Sequence, residues 1–180
     1  PIHTLGGERT NITFYTGVRV NDRWRVGEID GGWDVMKVAL AFERNPLALA
    51  DGMRLLDQAV AWATSAGRLD DPLIGERLAR LATDVEVGRL LARRMVEIAV
   101  AGGLPVVEGS IAKLWTSEAL VRNAAALLEV IGPAAVLQDG ELAWAERAHR
   151  HAAVTTIYAG TSEIQRSIIA ERGLGLPRAR

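Results

Sequence analysis

The sequence predicts a mainly α-helical bundle preceded by a short β-rich segment. From Gly31 onward, apolar residues recur at steps of three and four, which is the spacing of one helix face. Glycine and proline interrupt this pattern at only a few points, so the predicted helices are long and their connectors short. Long helices with short connectors are typical of an antiparallel, up-down four-helix bundle. We therefore expect a helical domain over residues 28–180 and a separate segment over residues 1–27.

The N-terminal segment, residues 1–27, is rich in β-forming residues. The runs 11–15 and 18–20 cluster Ile, Thr, Phe, Tyr and Val, with turn residues between and after them. Two or three strands without the rest of a sheet would leave unpaired edges. We expect this segment to need a missing half of its domain or a neighbour.

The first helix is predicted from Gly31 to about Gly67. Pro46 interrupts it, because proline lacks an N–H and clashes with the carbonyl of Phe42, so a kink is expected beside Glu43. Four more helices are predicted, over residues 70–102, 110–131, 141–153 and 162–172. The residues predicted to face inward are Val35, Val38, Phe42, Leu49, Met53, Leu56 and Val60 in the first helix, Ile74, Leu78, Leu81, Val85, Ala92, Met95 and Ala99 in the second, and Ile111, Leu114, Val121, Leu128 and Ile131 in the third.

The composition is that of an ordinary globular protein. The 180 residues are 49% hydrophobic and 24% charged, with a net charge of −1, which gives no basic excess for binding nucleic acid. No apolar run is long enough to span a membrane. Cysteine is absent, which excludes disulfides and thiolate metal sites and is compatible with a cytoplasmic location. His149 and His151 do not share a helix face, so no metal site is expected.

The most informative stretch reads Ile157-Tyr158-Ala159-Gly160-Thr161-Ser162-Glu163-Ile164-Gln165-Arg166. It resembles the C-terminal signature of acyl-CoA dehydrogenases, an aromatic residue followed by Glu-Gly-Thr and, after three positions, Gln-Arg. The resemblance continues upstream over nearly the whole chain. It implies that residues 1–27 are the end of the family's middle β domain and that residues 28–180 are its C-terminal helical bundle. The family is longer, so we expect this chain to be a piece of a longer polypeptide and to be inactive alone.

In the resembled family, the turn before the last helix lies over FAD. Carried over, this implies that Thr161 and Glu163 contact the cofactor and that Tyr158 contacts the substrate. From the residues alone, the same stretch also fits a capped helix start, with Thr161 as the cap and Glu163 complementing the helix dipole. An acyl-CoA thioester is the implied substrate, and an electron-transfer flavoprotein is the implied electron acceptor.

The catalytic base is the main departure from the family pattern. Many members carry a glutamate where this chain has Ala159, which cannot accept a proton. Other members carry the glutamate on the first long helix of the C-terminal domain, directly before an arginine. The matching pair here is Glu43-Arg44, so the resemblance implies Glu43 as the base and Arg44 as a residue lining the substrate site. The alternative for each is a solvated surface charge.

Two further departures concern the neighbouring subunit's FAD. The family's Arg-x-x-Phe-Gly element has no Phe-Gly here, and the family's Gln-Gly-Gly-aromatic element reads Gln138-Asp139-Gly140-Glu141. Asp139 and Glu141 would repel a phosphate. The chain therefore resembles the heteromeric, steroid side-chain type of actinobacterial members, and the segments Gly31-Gly32-Trp33 and Glu43-Arg44-Asn45-Pro46 look like that group. The implied partner is an unlike dehydrogenase subunit in a heterotetramer, with a homo-oligomer as the alternative.

Two other functions remain open at the level of sequence. The chain could be a non-catalytic subunit that shapes a partner's site. It could also be a helical oligomerisation module without flavin chemistry, which Ala159 and the missing glycine pair favour.

Overall fold

The computed structural model describes residues 1–43 and 46–178. Its elements are β1 (Ile2–His3), β2 (Arg9–Thr10), α1 (Gly32–Glu43), α2 (Leu47–Ser65), α3 (Pro72–Val100), α4 (Val106–Ile131), α5 (Ala143–Thr155) and α6 (Ser162–Ile168). A wider, π-type turn, Ile169–Gly173, continues α6. The predicted mainly α-helical bundle is therefore confirmed.

The bundle is built around α4. This helix contacts α1, α2, α3, α5 and α6, whereas α2 also contacts α3 and α5. The main core lies where α2, α3 and α4 meet. Its buried members are Ala48, Leu55, Ala59, Ala63, Ile74, Leu78, Leu81, Val85, Leu120, Ala124, Leu127 and Ala152. Because α4 is surrounded by other helices, it also buries polar residues, among them Lys113, Thr116 and Asn123.

The predicted helix boundaries agree with the structure to within four residues. The predicted acidic cap of α3 is present, since the Asp71 carboxylate accepts hydrogen bonds from the amides of Leu73 and Ile74. The single first helix is instead two helices, α1 ending at Glu43 and α2 beginning after Pro46. Proline at this position has no N–H to continue the ladder, which accounts for the break. Residues 44 and 45 lie outside the described part of the chain.

The predicted strands are wrong. Residues 11–15 and 18–20 form no strand, and the strand residues are instead β1 and β2, which pair antiparallel over two residues each. A strand is stable only when neighbouring strands take up its backbone hydrogen bonds. Within residues 1–43 and 46–178, no third strand is present to pair with the 11–20 region. Its apolar side chains are exposed, Phe14 and Tyr15 each to 82%.

Two of the three predicted inward faces need correction. On α3 the prediction is confirmed by Ile74, Leu78 and Leu81, all of them buried. On α2 the buried face is Ala48, Gly52, Leu55, Ala59 and Ala63, and the predicted Val60 is 40% exposed. On α4 the predicted Ile111 is 36% exposed, and Ala112 is buried in its place.

No helix among residues 1–43 and 46–178 combines the length and apolar character needed to cross a bilayer.

Candidate functional site

A sharp turn at residues 158–161 joins α5 to α6, and we call it the 158–161 turn. Ala159 and Gly160 both have positive φ angles, 53° and 89°. Two features exclude a side chain at position 160. The positive φ angle disfavours any residue with a Cβ atom, and a Cβ atom there would lie 2.6 Å from Nε2 of Gln165. Ala159 holds a left-handed conformation that is unfavourable for a residue with a Cβ atom. The tertiary contacts of the turn must therefore enforce its shape.

Those contacts come from the helix that follows. The Gln165 side chain is fully buried, and its Nε2 donates to the carbonyl oxygens of Ala159 and Gly160, each at 3.0 Å. The backbone amide of Ser162 donates to the carbonyl of Thr156 at 3.0 Å. Together these bonds hold the chain in a closed turn ahead of α6.

Thr161 and Glu163 stand at the start of α6. The Thr161 hydroxyl accepts a hydrogen bond from the amide of Ile164 at 3.4 Å, so Thr161 is the helix cap that the residue pattern predicts. A hydrogen bond from the same hydroxyl lowers the pKa of Glu163, with smaller contributions from the charges of Arg166 and Lys113. Both Thr161 and Glu163 therefore sit on the turn, with Glu163 ionised at neutral pH and exposed.

Ala159 occupies the place where a carboxylate is expected from the resemblance. Its methyl group offers no proton acceptor, and no side chain stands between it and Thr161, because residue 160 is glycine. The neighbouring Tyr158 is half-buried. Burial raises the pKa of its phenol, and the negative charges of Asp51 and Glu8 raise it further. The Tyr158 hydroxyl therefore stays protonated at neutral pH.

These carboxylates belong to a polar cluster that the sequence pattern does not predict. Nδ1 of His151 contacts the Glu8 carboxylate, and Nε2 of His151 lies 3.4 Å from Asp51. The Glu8 carboxylate also accepts a hydrogen bond from the hydroxyl of Thr4. The hydroxyl of Thr4 and then the ring of His151 lower the pKa of Glu8 to about 2. The cluster joins the N-terminal hairpin to α2 and α5, and residue separations as large as 143 leave no signal in the sequence.

An open groove of about 760 Å³ runs beside this cluster, between α2 and α5. Its apolar floor is formed by Leu55, Leu120, Trp144 and Ala148, and its polar rim includes Gln58, Gln138 and Arg147. This size suits a small organic ligand or an extended part of one. Among the described residues, no group of three His, Cys, Asp or Glu side chains is placed to hold a metal ion.

The structure does not bring every predicted site residue together. Tyr158, Thr161 and Glu163 share one turn. Glu43 is the last residue of α1 and is exposed, and Arg44 lies outside the described residues. Within residues 1–43 and 46–178, no hydrogen bond or ion pair joins Glu43 to the 158–161 turn. The catalytic role of Glu43 and the substrate role of Arg44 therefore stay predictions.

Residues 138–141, which the resemblance places near the cofactor of a neighbouring subunit, are exposed and include two acids. Asp139, Gly140 and Glu141 are all exposed, and Gly140 has a φ of 85°. At the same end of the bundle, Arg68 is already engaged, with one nitrogen 2.7 Å from Asp71 and another 3.4 Å from the carbonyl of Val130.

The family profile described as acyl-CoA dehydrogenase, C-terminal domain, matches residues 30–174. The chain is 35% identical over 195 aligned residues to acyl-CoA dehydrogenase FadE26 of Mycobacterium tuberculosis, covering 99% of this chain and 48% of that protein. It is 36% identical to acyl-CoA dehydrogenase IpdE1 of the same organism, covering 98% of this chain and 46% of that protein. The chain thus spans about half the length of the curated relatives it matches.

Two solved structures extend the comparison to three dimensions. The Tcur3481-Tcur3483 steroid ACAD, as its G363A variant, superposes with a TM-score of 0.88 at 32% identity, covering 99% of this chain and 49% of that one. The ChsE4-ChsE5 complex from Mycobacterium tuberculosis superposes with a TM-score of 0.83 at 34% identity, covering 99% of this chain and 50% of that one. The chain therefore belongs to the acyl-CoA dehydrogenase family, a family of FAD-dependent oxidoreductases, and corresponds to its C-terminal helical domain.

Proposed function

We propose that this chain is the C-terminal part of an FAD-dependent dehydrogenase that introduces the α,β double bond into an acyl-CoA thioester. Glu43 removes the proton from the α carbon. Thr161 and Glu163 hold the flavin, whereas Arg44 and Tyr158 face the substrate. When bound, FAD supplies the two-electron acceptor for the hydride that leaves the β carbon.

The observation that carries this proposal is the shape of the 158–161 turn. Gly160 has no side chain and Ala159 has only a methyl group, so a flat ring system can approach the backbone closely. The Thr161 hydroxyl and the ionised Glu163 carboxylate follow directly in the chain and can bond to the polar edge of such a ring. The residues of the turn therefore fit a flavin, although they would hold only one part of it.

The absence of a carboxylate at position 159 supports a base elsewhere. A base for a carbon acid must be a carboxylate whose pKa rises when substrate and protein exclude water. Glu43 stands at the junction of α1 and α2, where Pro46 ends the helical ladder.

We also infer an unlike partner subunit. The exposed acids Asp139 and Glu141 disfavour the approach of a neighbour's cofactor phosphates, so a second copy of this chain would make a poor partner. The complexes named Tcur3481-Tcur3483 and ChsE4-ChsE5 each contain two differently named chains, which supports the same assembly here. A bulky, steroid-like acyl group, reoxidation by an electron-transfer flavoprotein and a cytoplasmic location belong to this proposal.

A non-catalytic role is the second candidate, whether as a subunit that shapes a partner's site or as an oligomerisation module. Two observations favour it, namely the methyl group at Ala159 and the exposure of Glu43.

A glutamine substitution at Glu43 separates the candidates, made in the longest native form of the polypeptide together with its co-purifying subunits. The measurement is the rate of flavin reduction by an acyl-CoA thioester in a single turnover. We expect Glu43→Gln to keep its flavin and to slow reduction roughly 10²–10⁴-fold, the usual range for losing a general base. The control is Glu97→Gln, which removes another exposed glutamate, on α3, and should leave the rate unchanged. Reduction at the wild-type rate in Glu43→Gln would place the base elsewhere.

A further inference from the structure

The N-terminal β segment lies on the helical bundle without burying any of its own residues. None of residues 1–30, all of which the structure describes, is buried, and every residue from 9 to 30 is exposed. The apolar side chains of the β1–β2 hairpin do not hold it in place, since Ile2 and Leu5 are 53% and 71% exposed. A two-stranded hairpin alone is only marginally stable in water. The polar contacts of the hairpin therefore decide where the segment lies.

Arg150 of α5 makes one of these contacts. Its Nη1 donates to the backbone carbonyl of Leu5 at 2.8 Å, across a separation of 145 residues. The backbone of the hairpin turn passes close to the same nitrogen, because a Cβ atom added at Gly7 would lie 4.0 Å from it. The Arg150 side chain is 28% exposed, so the hydrogen bond is partly shielded from water.

Glu146 fixes the direction of the Arg150 guanidinium group. Its carboxylate accepts one hydrogen bond from Nε of Arg150 and a second, at 3.1 Å, from Nη2. Glu146 is itself 8% exposed, so this two-point pair lies against the bundle. A planar guanidinium group held at two nitrogens has a defined orientation. Its remaining nitrogen, Nη1, is therefore already aimed at the hairpin.

His151, the next residue of α5, makes a second contact beside the first. One ring nitrogen contacts the Glu8 carboxylate, and the other lies 3.4 Å from Asp51 on α2. Arg150 and His151 thus hold the hairpin at two neighbouring points, one on its backbone and one on a side chain.

These contacts place the β segment beside the helix that leads to the 158–161 turn. Because α5 ends at Thr155, the contact site of the hairpin lies within about two helical turns of the end of that helix. The turn would hold only one part of a flavin, so a ligand that also touches the β segment requires a fixed spacing between the two.

We propose that Arg150 is a positioning residue that fixes the N-terminal β segment on α5 through the Leu5 carbonyl, and so sets the spacing between that segment and the 158–161 turn. The consequence for flavin binding rests on the proposed function, whereas the placement of the hairpin does not. Lysine at this position would keep the charge, but it has no planar fork to span Glu146 and Leu5 at once.

Arg150→Lys tests this role by amide hydrogen exchange of the peptide spanning residues 1–10, measured in the full chain. We expect exchange there to be about tenfold faster than in the wild type, since a released hairpin has little protection of its own. The positive charge beside Glu146 is kept, so the urea midpoint of the bundle should not change. Arg147→Lys is the matched control, because Arg147 is exposed on the same helix, and its exchange should equal that of the wild type.

A merely structural role predicts a different pattern of exchange. If Arg150 only stabilised the bundle, exchange in α3 and α4 would rise together with exchange in the hairpin. That pattern, or exchange of residues 1–10 at the wild-type rate in Arg150→Lys, would overturn the proposal.

Glu146→Gln gives a second variant that leaves Arg150 in place. It removes the charge that orients the guanidinium group, so exchange in residues 1–10 should rise, by less than in Arg150→Lys. In the Arg150→Lys background the same substitution should have no further effect. Independent, multiplicative effects would show that Glu146 does not act through Arg150, against the proposal.

The titration of Glu8, followed by NMR, supplies a spectroscopic signature. In the wild type, hydrogen bonds from Thr4 and then His151 lower the pKa of Glu8 to about 2. Release of the hairpin separates Glu8 from His151, so this pKa should rise toward 4.5 in Arg150→Lys and stay at about 2 in Arg147→Lys. A pKa that stays at about 2 in Arg150→Lys would contradict the release of the hairpin.

Flavin binding separates this inference from the proposed function. If the native assembly binds FAD, Arg150→Lys should weaken that binding about tenfold, in line with the smaller population of correctly placed segment. Wild-type protein that binds no FAD would refute the proposed function, and the exchange experiment would still decide the role of Arg150. Equal FAD binding in wild type and Arg150→Lys, despite faster exchange in the hairpin, would refute the role of Arg150 in the flavin site.

Discussion

The side-chain amide of Gln165 lies 3.0 Å from the carbonyl oxygen of Ala159, and this bond closes the turn on which the candidate flavin surface is built. The same nitrogen donates to the carbonyl of Gly160, so one buried side chain fixes two successive residues with positive φ. The shape of the turn is therefore set from α6, by a residue that is itself fully buried.

Gln165→Leu tests this arrangement. The substitution removes the donor and leaves two carbonyl groups without their partner, which should lower the free energy of unfolding by about 1–3 kcal/mol. Urea denaturation followed by circular dichroism measures the change. The control Gln58→Leu alters an exposed glutamine on the rim of the groove and should change the free energy of unfolding by less than about 0.5 kcal/mol. Equal effects of the two substitutions would show that Gln165 does not hold the turn.

Gly160→Ala tests the backbone of the turn. The new Cβ would lie 2.6 Å from Nε2 of Gln165 at a φ of 89°, so both steric clash and backbone strain oppose it. We expect a loss of about 2–3 kcal/mol of unfolding free energy. Gly67→Ala is the matched control, since Gly67 has a φ of 63° and nothing lies within 4 Å of its added Cβ. The control should lose only about 1 kcal/mol, from strain alone. An equal loss of unfolding free energy in Gly67→Ala would show that the clash with Gln165 does not contribute.

We expect the packing of the β1–β2 hairpin against α5 to depend on pH through the Glu8 carboxylate, which contacts His151. Its pKa in the folded protein, about 2, lies below its ordinary value of 4.5. A lowered pKa contributes stability that is present above about pH 4.5 and is lost as the pH falls toward about 2. Because the side chain is 37% exposed, solvent screening limits the contribution to roughly 1 kcal/mol.

Glu8→Gln should accordingly destabilise the protein at neutral pH and have almost no effect near the folded-state pKa of about 2. Urea denaturation of both proteins across this range measures the difference. Glu28→Gln, which changes an exposed acid of the same N-terminal region, is the control. A difference between wild type and Glu8→Gln that is constant with pH would contradict the assignment.

Ala59 and Val60 test which face of α2 enters the core. Ala59 is fully buried, whereas Val60 is 40% exposed. Ala59→Leu should therefore force apart packed helices and lower the free energy of unfolding by about 1–3 kcal/mol. Val60→Leu should change the free energy of unfolding by less than about 0.5 kcal/mol. Thermal unfolding of the two variants compares them directly, and the reverse order would restore the face predicted from the sequence.

The helix boundaries could be predicted from the sequence, but the inward faces of the helices could be predicted only in part. On α3 large apolar residues such as Leu78 and Leu81 mark the buried face, and the pattern identifies it correctly. On α2 the buried face is mainly Ala and Gly, which permit close helix contact but carry little hydrophobic signal. Larger side chains such as Val60 lie to its side and mislead the pattern. Because α4 has neighbours on most sides, no single face dominates its sequence.

The residues of the candidate site could likewise be predicted only in part. The 158–161 turn could be found because its residues are contiguous and form a recognisable motif. The cluster of Glu8, Asp51 and His151 could not, because its members come from distant parts of the chain and meet only in the folded state. Glu43 differs from both. It is exposed at the end of α1, and its role as the base stays a prediction from the resemblance.

The proposed dehydrogenation is tested most directly by the visible spectrum of the native assembly, purified with its co-purifying subunits and mixed with an acyl-CoA thioester in the absence of oxygen. We expect a yellow protein whose flavin absorbance bleaches on mixing, with this chain and an unlike dehydrogenase subunit both present. A colourless assembly, or one whose flavin does not bleach with any acyl-CoA, would contradict the claim that this helical domain serves dehydrogenation.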